Sequence, residues 1–237
     1  SGNLSGAWWC SNEGVFIYGG WWNVVNALAG LINIFCMTGC IHLYTSNDKN
    51  QSDMLWPDMT IWFIVAYDVW NFEYTYLNLP THTWYCGVAL LLAPTFANAL
   101  WNKGAWIQNR ANTLAIWCMW AQVLPLFQLS WMPAALPSVY GGASENGVTA
   151  MNLYESAIAI YNAGQGKTAA ANQAIAAMGI TADPRMQGFV AMLALAANVL
   201  CISVIIRNAI KLGHNPYSAP VFEGTRDYEE AMARADV

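Results

Sequence analysis

The sequence predicts an all-α fold, a polytopic transmembrane helix bundle with five spans. Three observations carry this expectation. Of the 237 residues, 57% are hydrophobic and only 10% are charged, whereas an ordinary soluble domain is about 25% charged. Several apolar runs reach the roughly twenty residues that a helix needs to cross a bilayer. The chain also carries 13 Trp, and Trp21 and Trp22 open the first run, where an interfacial aromatic belt would sit. The net charge of −5 and the lack of a basic stripe exclude a nucleic-acid partner.

Residues 1–20 read as a Gly- and aromatic-rich loop. The first span covers about 21–44. Asn23, Asn26, Gly30, Asn33, Met37 and Cys40 recur in it at helical steps. Small and polar residues in such a seam let membrane helices approach and hydrogen-bond. Packing is the default reading of this seam, and a solute-lining role for Asn26 or Asn33 is the alternative. A polar connector, 45–58, follows. Pro57 and Asp58 then suit the first turn of the next helix, where proline is tolerated and an acid complements the dipole.

The second span, 59–79, is the most informative element. It carries two acids, Asp68 and Glu73. Two central acids cost about 5–7 kcal/mol on an insertion scale, and its Ile, Phe, Val and Leu residues return about 4 kcal/mol. The helix must therefore bury a polar face against protein or a wet cavity. Tyr67, Asn71, Tyr74 and Asn78 form one stripe, with Asp68 on its border. Glu73 points about 140° away from Asp68.

The third span covers 83–102 after a tight turn at Pro80–His82, and Pro94 predicts a kink in it. The fourth covers 106–131. Gln108, Asn112, Met119 and Gln122 lie near one face, and Pro125 and Gln128 make its far half breakable. Arg110 lies in its first turns and is expected to snorkel to the headgroups, the alternative being an inward turn toward an acid. A loop over 132–187 holds two expected helices, 147–162 and 167–178. Its GQGKT run lacks the upstream glycine and strand of a phosphate-binding loop, so nucleotide binding is rejected. The last span is 188–210, free of lysine, and a soluble tail with a short helix near 225–235 ends the chain. In domain terms, 1–211 form the membrane domain and 212–237 a cytoplasmic tail.

Of the six cysteines, Cys36 and Cys40 stand one turn apart without a His, Asp or Glu to complete a metal site. They read as buried apolar thiols. Cys10 and Cys86 both fall on the expected outer side, which leaves a disulfide between them open. No cofactor can be named from the sequence. Seven Lys and Arg residues, from Lys49 to Arg234, fall on one side of five spans, and Lys167 and Arg185 on the other. The positive-inside rule places the C-terminus in the cytoplasm and the 132–187 loop outside. The start, SGNLSG, has neither Met nor a signal-type pattern. We expect a C-terminal piece of a longer product, with further helices upstream.

The run 53–92, DMLWPDMTIWFIVAYDVWNFEYTYLNLPTHTWYCGVALLL, followed by NKGAWIQNRANTLAIW at 102–117, resembles an uncharacterised bacterial family of multi-pass membrane proteins. The family is carried as a domain of unknown function. The resemblance covers the spans from 21 to 131 and, more loosely, the rest. Its motifs are WPDM, AYDVWNF and KGAWxQxRAxTLA, and their polar residues here are Asp58, Asp68, Asn71, Gln108 and Arg110. The resemblance implies a bacterial inner-membrane location and supplies no activity.

The expected site is therefore Asp68, with Tyr67, Asn71, Asn33, Glu73 and Arg110 as candidate ligand-binding residues. An intramembrane acid beside amides and phenols suits a small polar solute or a proton-coupled step within the lipid bilayer. Two other classes stay open. One is an intramembrane enzyme using Asp68 and Glu73 with His82 and Arg110. The other is a structural membrane subunit.

Overall fold

The computed structural model describes residues 6–49, 52–123, 135–165 and 167–236. It is mostly helical, with eight α-helices among the described residues and two small antiparallel hairpins. The chain divides into two compact units. Unit 1 holds 1–27, 71–88 and 120–193; unit 2 holds 28–70, 89–119 and 194–237.

Unit 1 is built on a hairpin where a loop was expected. Strand β1, Ala7–Cys10, pairs with β2, Phe16–Gly19, in the register Ala7↔Gly19 to Cys10↔Phe16. Trp8 and Cys10 point inward and Trp9 outward, the two-residue alternation of a strand with one buried face. The turn needs Gly14 at φ +74°, and a side chain there would run into the Tyr154 ring. Helices α5, Ala150–Asn162, and α6, Lys167–Ala177, pack on the inner face of the hairpin, joined by Val139 and Tyr140. Both helices fall close to their expected ranges. Thr149 and Asn152 form a capping box at the start of α5. Tyr140 stacks on Trp8 and donates its hydroxyl to the Phe16 carbonyl at 2.5 Å. A second apolar cluster gathers Trp22, Tyr76, Leu77, Val190 and Ala191.

Unit 2 takes in all of α3 (Leu90–Leu100) and parts of α1 (Trp21–Phe35), α2 (Ile61–Asn78), α4 (Trp106–Val123) and α7 (Arg185–Leu212). The first expected span ends early, at Phe35. There the chain leaves the helix so that the Thr38 hydroxyl can reach Asp58, and Gly39, at φ +63°, can lie against the Asp58 side chain. Helix α3 is preceded by a 3-10 turn, Pro80–His82, and a π-helical stretch, Thr83–Ala89. That wider stretch precedes Pro94, whose ring and missing N–H interrupt regular α-helical bonding. The expected end of the fourth span, 124–131 with Pro125 and Gln128, and the Gln122 side chain lie outside the described residues.

Among the described residues, two helices are long and apolar enough to cross a membrane: Pro80–Leu100, with 21 residues, and Arg185–Leu212, with 28. Helix α1 is apolar but has 15 residues, about 22 Å at the helical rise. The acids and amides of α2 keep it below that threshold.

The buried positions of the long helices follow a step of alternating three and four residues. On α1 they include Trp22, Asn26, Ala29 and Asn33, continued by Cys36 just past its end; on α7 they include Gln187, Ala191, Ala194, Asn198, Cys201 and Ile205. Such a step keeps one face of each helix against protein. The seam expected on α1 was shifted: Met37 and Cys40 lie beyond the helix and are exposed. Cys36 instead lies buried and faces Cys201. None of the six cysteines is joined in a disulfide, so the Cys10–Cys86 bridge is not formed.

The C-terminal tail is less solvated than its composition suggested. Val221, Phe222 and Tyr228 enter the unit 2 core with Trp56, Phe63 and Trp106. Both the Val221 and Phe222 amides donate to Asp58 Oδ1 at 2.9 Å. Helix α2 starts three residues after Asp58, which therefore tethers the tail rather than capping a helix. The acid at the α2 N-terminus is Asp227 of α8 (Arg226–Met232), whose Oδ2 accepts from Ile61 N at 3.0 Å. Lys103 pairs with the other Asp227 oxygen at 2.9 Å.

Candidate functional site

Three helices of unit 2 converge on Asp68. Helix α2 presents Phe63, Tyr67 and Asp68; α3 presents Thr95 immediately after Pro94; α4 presents Trp106 and, one turn on, Arg110. The Trp106 indole packs edge-on against Phe63 and Tyr67, with centroids 6.0 and 5.1 Å away. Those contacts hold the indole with its Nε1 3.1 Å from the Thr95 hydroxyl oxygen. The Thr95 hydroxyl in turn lies 2.6 Å from Asp68 Oδ2.

The direction of this chain of bonds is fixed by chemistry. An indole N–H only donates, and a hydroxyl has one proton. Thr95 accepts from Trp106 and must donate to Asp68. Oδ2 of Asp68 is thereby an acceptor, and any proton that the acid takes up goes to Oδ1. That oxygen is buried and has no hydrogen-bond partner.

Arg110 lies in the same cluster. It is only 8% exposed, and its guanidinium carbon sits 6.0 Å from the centre of the Tyr67 ring. Its Nε and Nη1 are buried and without hydrogen-bond partners, while its charge acts on Asp68. The expectation that Arg110 snorkels outward is therefore corrected: the side chain turns inward. The physical reason is the aromatic face of Tyr67 and the nearby carboxylate, which together offset part of its desolvation.

The other expected site residues lie elsewhere. Asn33 donates to Asn198 Oδ1 at 2.8 Å, and Asn198 donates to the Ala66 and Ala194 carbonyls. This polar node ties α1, α2 and α7 within unit 2. Asn71 and Glu73 belong to unit 1. The Asn71 carbonyl accepts from the Thr75 hydroxyl at 2.6 Å. Glu73 is wholly buried and faces Asn26. The Tyr/Asn stripe is not the buried face, since Tyr74 is 45% exposed. His82, also in unit 1, lies 2.9 Å from the Thr81 hydroxyl through Nδ1.

Sequence reasoning passed over Thr95, Trp106, Asn198 and Gln187. Three of them left a signal: Thr95 follows the helix proline, Trp106 stands in the KGAW motif, and Asn198 interrupts a long apolar run. Gln187 is fully buried with both amide atoms unpartnered.

Most of the motif residues lie in unit 2, whereas Asn71 of AYDVWNF lies in unit 1. Trp56 donates to the Thr38 carbonyl at 2.9 Å, and Gln108 donates to Asp53 at 2.9 Å. Asp53 also pairs with Arg234 at 2.6 Å, and Trp56 N bonds the Gly104 carbonyl at 2.8 Å. The family model described as a family of unknown function, DUF5692, matches residues 2–234. The chain belongs to DUF5692. Comparison with curated proteins and with solved structures finds no match. The motifs of this DUF5692 chain thus divide between a tail anchor, at Asp58, Lys103 and Gln108, and the buried charged cluster, at Asp68 and Arg110. No group of three or more His, Cys, Asp or Glu suited to a metal occurs among the described residues.

Proposed function

We propose that this DUF5692 chain is a multi-pass membrane protein that binds a small polar solute, or carries a proton, at Asp68 and Arg110. The observation that carries the reading is the half-buried acid Asp68, whose Oδ1 is buried, in one cluster with the buried base Arg110, each with hydrogen-bonding atoms left open. A solute with a donor for Asp68 Oδ1 and an acceptor for the Arg110 N–H groups complements both. Protonation of Oδ1 removes the acceptor and releases such a solute. That is the elementary step of proton-coupled binding.

The membrane reading, with five crossings, rests on the two long apolar helices and on the side chains that face outward. Phe189, Met192, Leu193, Val199, Leu200, Ile206 and Ile210 make an exposed apolar stripe along α7. Leu114, Ile116, Met119 and Trp120 do the same on α4. Contiguous apolar surface on this scale suits lipid rather than water. The orientation with a cytoplasmic C-terminus follows from the Lys and Arg asymmetry. Joint acid–base catalysis by Asp68 and Glu73 is disfavoured, because each acid has its own separate set of neighbours.

The test is native mass spectrometry of the protein in nanodiscs, together with liposomes loaded with a pH-sensitive dye. The wild type is expected to retain a small molecule or to pass protons, and Asp68→Asn and Arg110→Met to lose both properties. Unchanged bound masses and unchanged proton flux in folded Asp68→Asn overturn the assignment.

A further inference from the structure

Unit 1 holds a cleft that the Asp68 cluster does not use. Its volume is about 410 Å³, and its lining includes Trp9, Asn12, Glu13, Tyr74, Asn78 and Tyr161. That is within the size range of small-molecule sites.

Three elements build it. The hairpin supplies Trp9, outward-facing on β1 and 43% exposed. Its turn supplies Asn12 and Glu13. The turn is fixed by Ser11 N donating to the Val15 carbonyl at 2.9 Å and by Gly14 lying against Tyr154 of α5. With its amide nitrogen toward Glu13, Asn12 donates to Oε2 at 2.8 Å and to Oε1 at 3.0 Å. The last turns of α2 supply Tyr74 and Asn78, and the Asn78 amide is held by the Tyr74 carbonyl at 3.0 Å. Helix α5 adds Tyr161.

The chemistry of this lining is one-sided. Three aromatic rings and one carboxylate line the cleft, with no Lys, Arg or His among the described residues that line it. Aromatic faces attract cations through the ring quadrupole, Trp most strongly. A fixed carboxylate adds a full charge of the same preference. Anions meet the Glu13 carboxylate with repulsion, and a neutral solute gains nothing from its charge.

We propose that the cleft is a binding site for a small organic cation, an alkylated ammonium group held between Trp9, Tyr74 and Tyr161 with Glu13 as its counter-ion. The site is independent of the Asp68 cluster, and its failure leaves the reading of that cluster untouched.

The probe is choline, with 3,3-dimethylbutan-1-ol as the neutral isostere of the same shape. Binding is read from saturation transfer to the methyl protons, with the full chain in maltoside micelles, which carry no choline headgroup. Choline is expected to bind about tenfold tighter than the isostere, and Glu13→Gln and Trp9→Leu each to weaken choline about tenfold. The melting temperature of Glu13→Gln should stay unchanged, since that side chain is exposed. Equal binding of choline and its isostere to the wild type overturns the proposal without recourse to any variant. So does full choline binding by Glu13→Gln.

Discussion

The indole N–H of Trp106 sets the orientation of the Thr95 hydroxyl. It donates to Thr95 Oγ at 3.1 Å, so the single hydroxyl proton must point to Asp68, 2.6 Å away. One aromatic residue on α4 thus decides which oxygen of an acid on α2 is free to titrate. Thr95→Val removes a donor and an acceptor at once, leaving Trp106 Nε1 and Asp68 Oδ2 unpaired. The expected loss of stability is about 1–3 kcal/mol, while Thr95→Ser stays close to wild type. Thermal unfolding in micelles checks this; equal losses for Val and Ser would refute the bond chain.

Asp68 and Arg110 act on each other through a low-dielectric cluster. Asp68→Asn leaves Arg110 buried without the Asp68 charge, and Arg110→Met leaves half-buried Asp68 without the guanidinium charge. Each single change is expected to destabilise, and the double change to cost less than the sum, with a coupling of about 0.5–3 kcal/mol. A double-mutant cycle with strictly additive effects would show the two charges to be independent.

Asp58 holds the tail through two backbone amides. Asp58→Ala leaves these donors buried and unpaired, at about 1–3 kcal/mol each. Hydrogen exchange at Val221 and Phe222 should accelerate sharply, and protease cleavage between 213 and 220 with it. Native-like protection of both amides in the variant would remove Asp58 from this role.

The pH dependence of tail docking follows from two acids outside the helices proposed to cross the membrane. Burial alone would raise the Asp227 carboxyl, but the Lys103 ammonium and the Ile61 amide outweigh it and hold it below its ordinary value. Arg234 and Ser46 hold Asp48 down likewise. A depressed acid binds fewer protons folded than unfolded. Its stabilising effect is therefore complete above the unfolded carboxylate pKa of about 3.9 and is lost as the pH falls through the lower folded value. Tail protection should hold at pH 6 and fall away below about pH 4. In Lys103→Met part of that acid-dependent loss should vanish. Protection that rises on acidification would reverse the sign and exclude these pairs.

Gly30 lets α1 approach α2. A Cβ there would meet Trp70 Nε1 at 2.9 Å and two further ring atoms at 3.0 Å. Gly30→Ala should cost about 1–3 kcal/mol through overpacking, despite the better helix propensity of alanine. A rise in melting temperature would mean that the ring moves freely aside.

Much of the helical framework was legible because apolar content and length are local properties. The ranges of α5, α6 and α7 and the placement of Asp68 in a helix with protein on more than one side follow from such patterns. The hairpin over 7–19 was not legible as a strand pair. Its alternating Trp8, Cys10 and Phe16 sit in a stretch whose glycines and aromatics also fit a loop, and only packing on α5 and α6 chooses between them. The site was half legible. Asp68, Tyr67 and Arg110 carried signals of charge and stripe, whereas Thr95 and Trp106 are ordinary residues until two other helices bring them to the acid.

The sequence alone determined a helical, apolar chain, a second helix too polar to stand by itself, and the motifs that place it in its family. Periodicity and transfer energies along the chain are enough for that. Only the tertiary structure decided that Arg110 turns inward, that Asp58 ties down the tail, that Asp227 caps α2 and that Asp68 and Glu73 have different neighbours. Each of those outcomes depends on which distant group fills a hydrogen bond or answers a charge. No spacing along one helix contains that information.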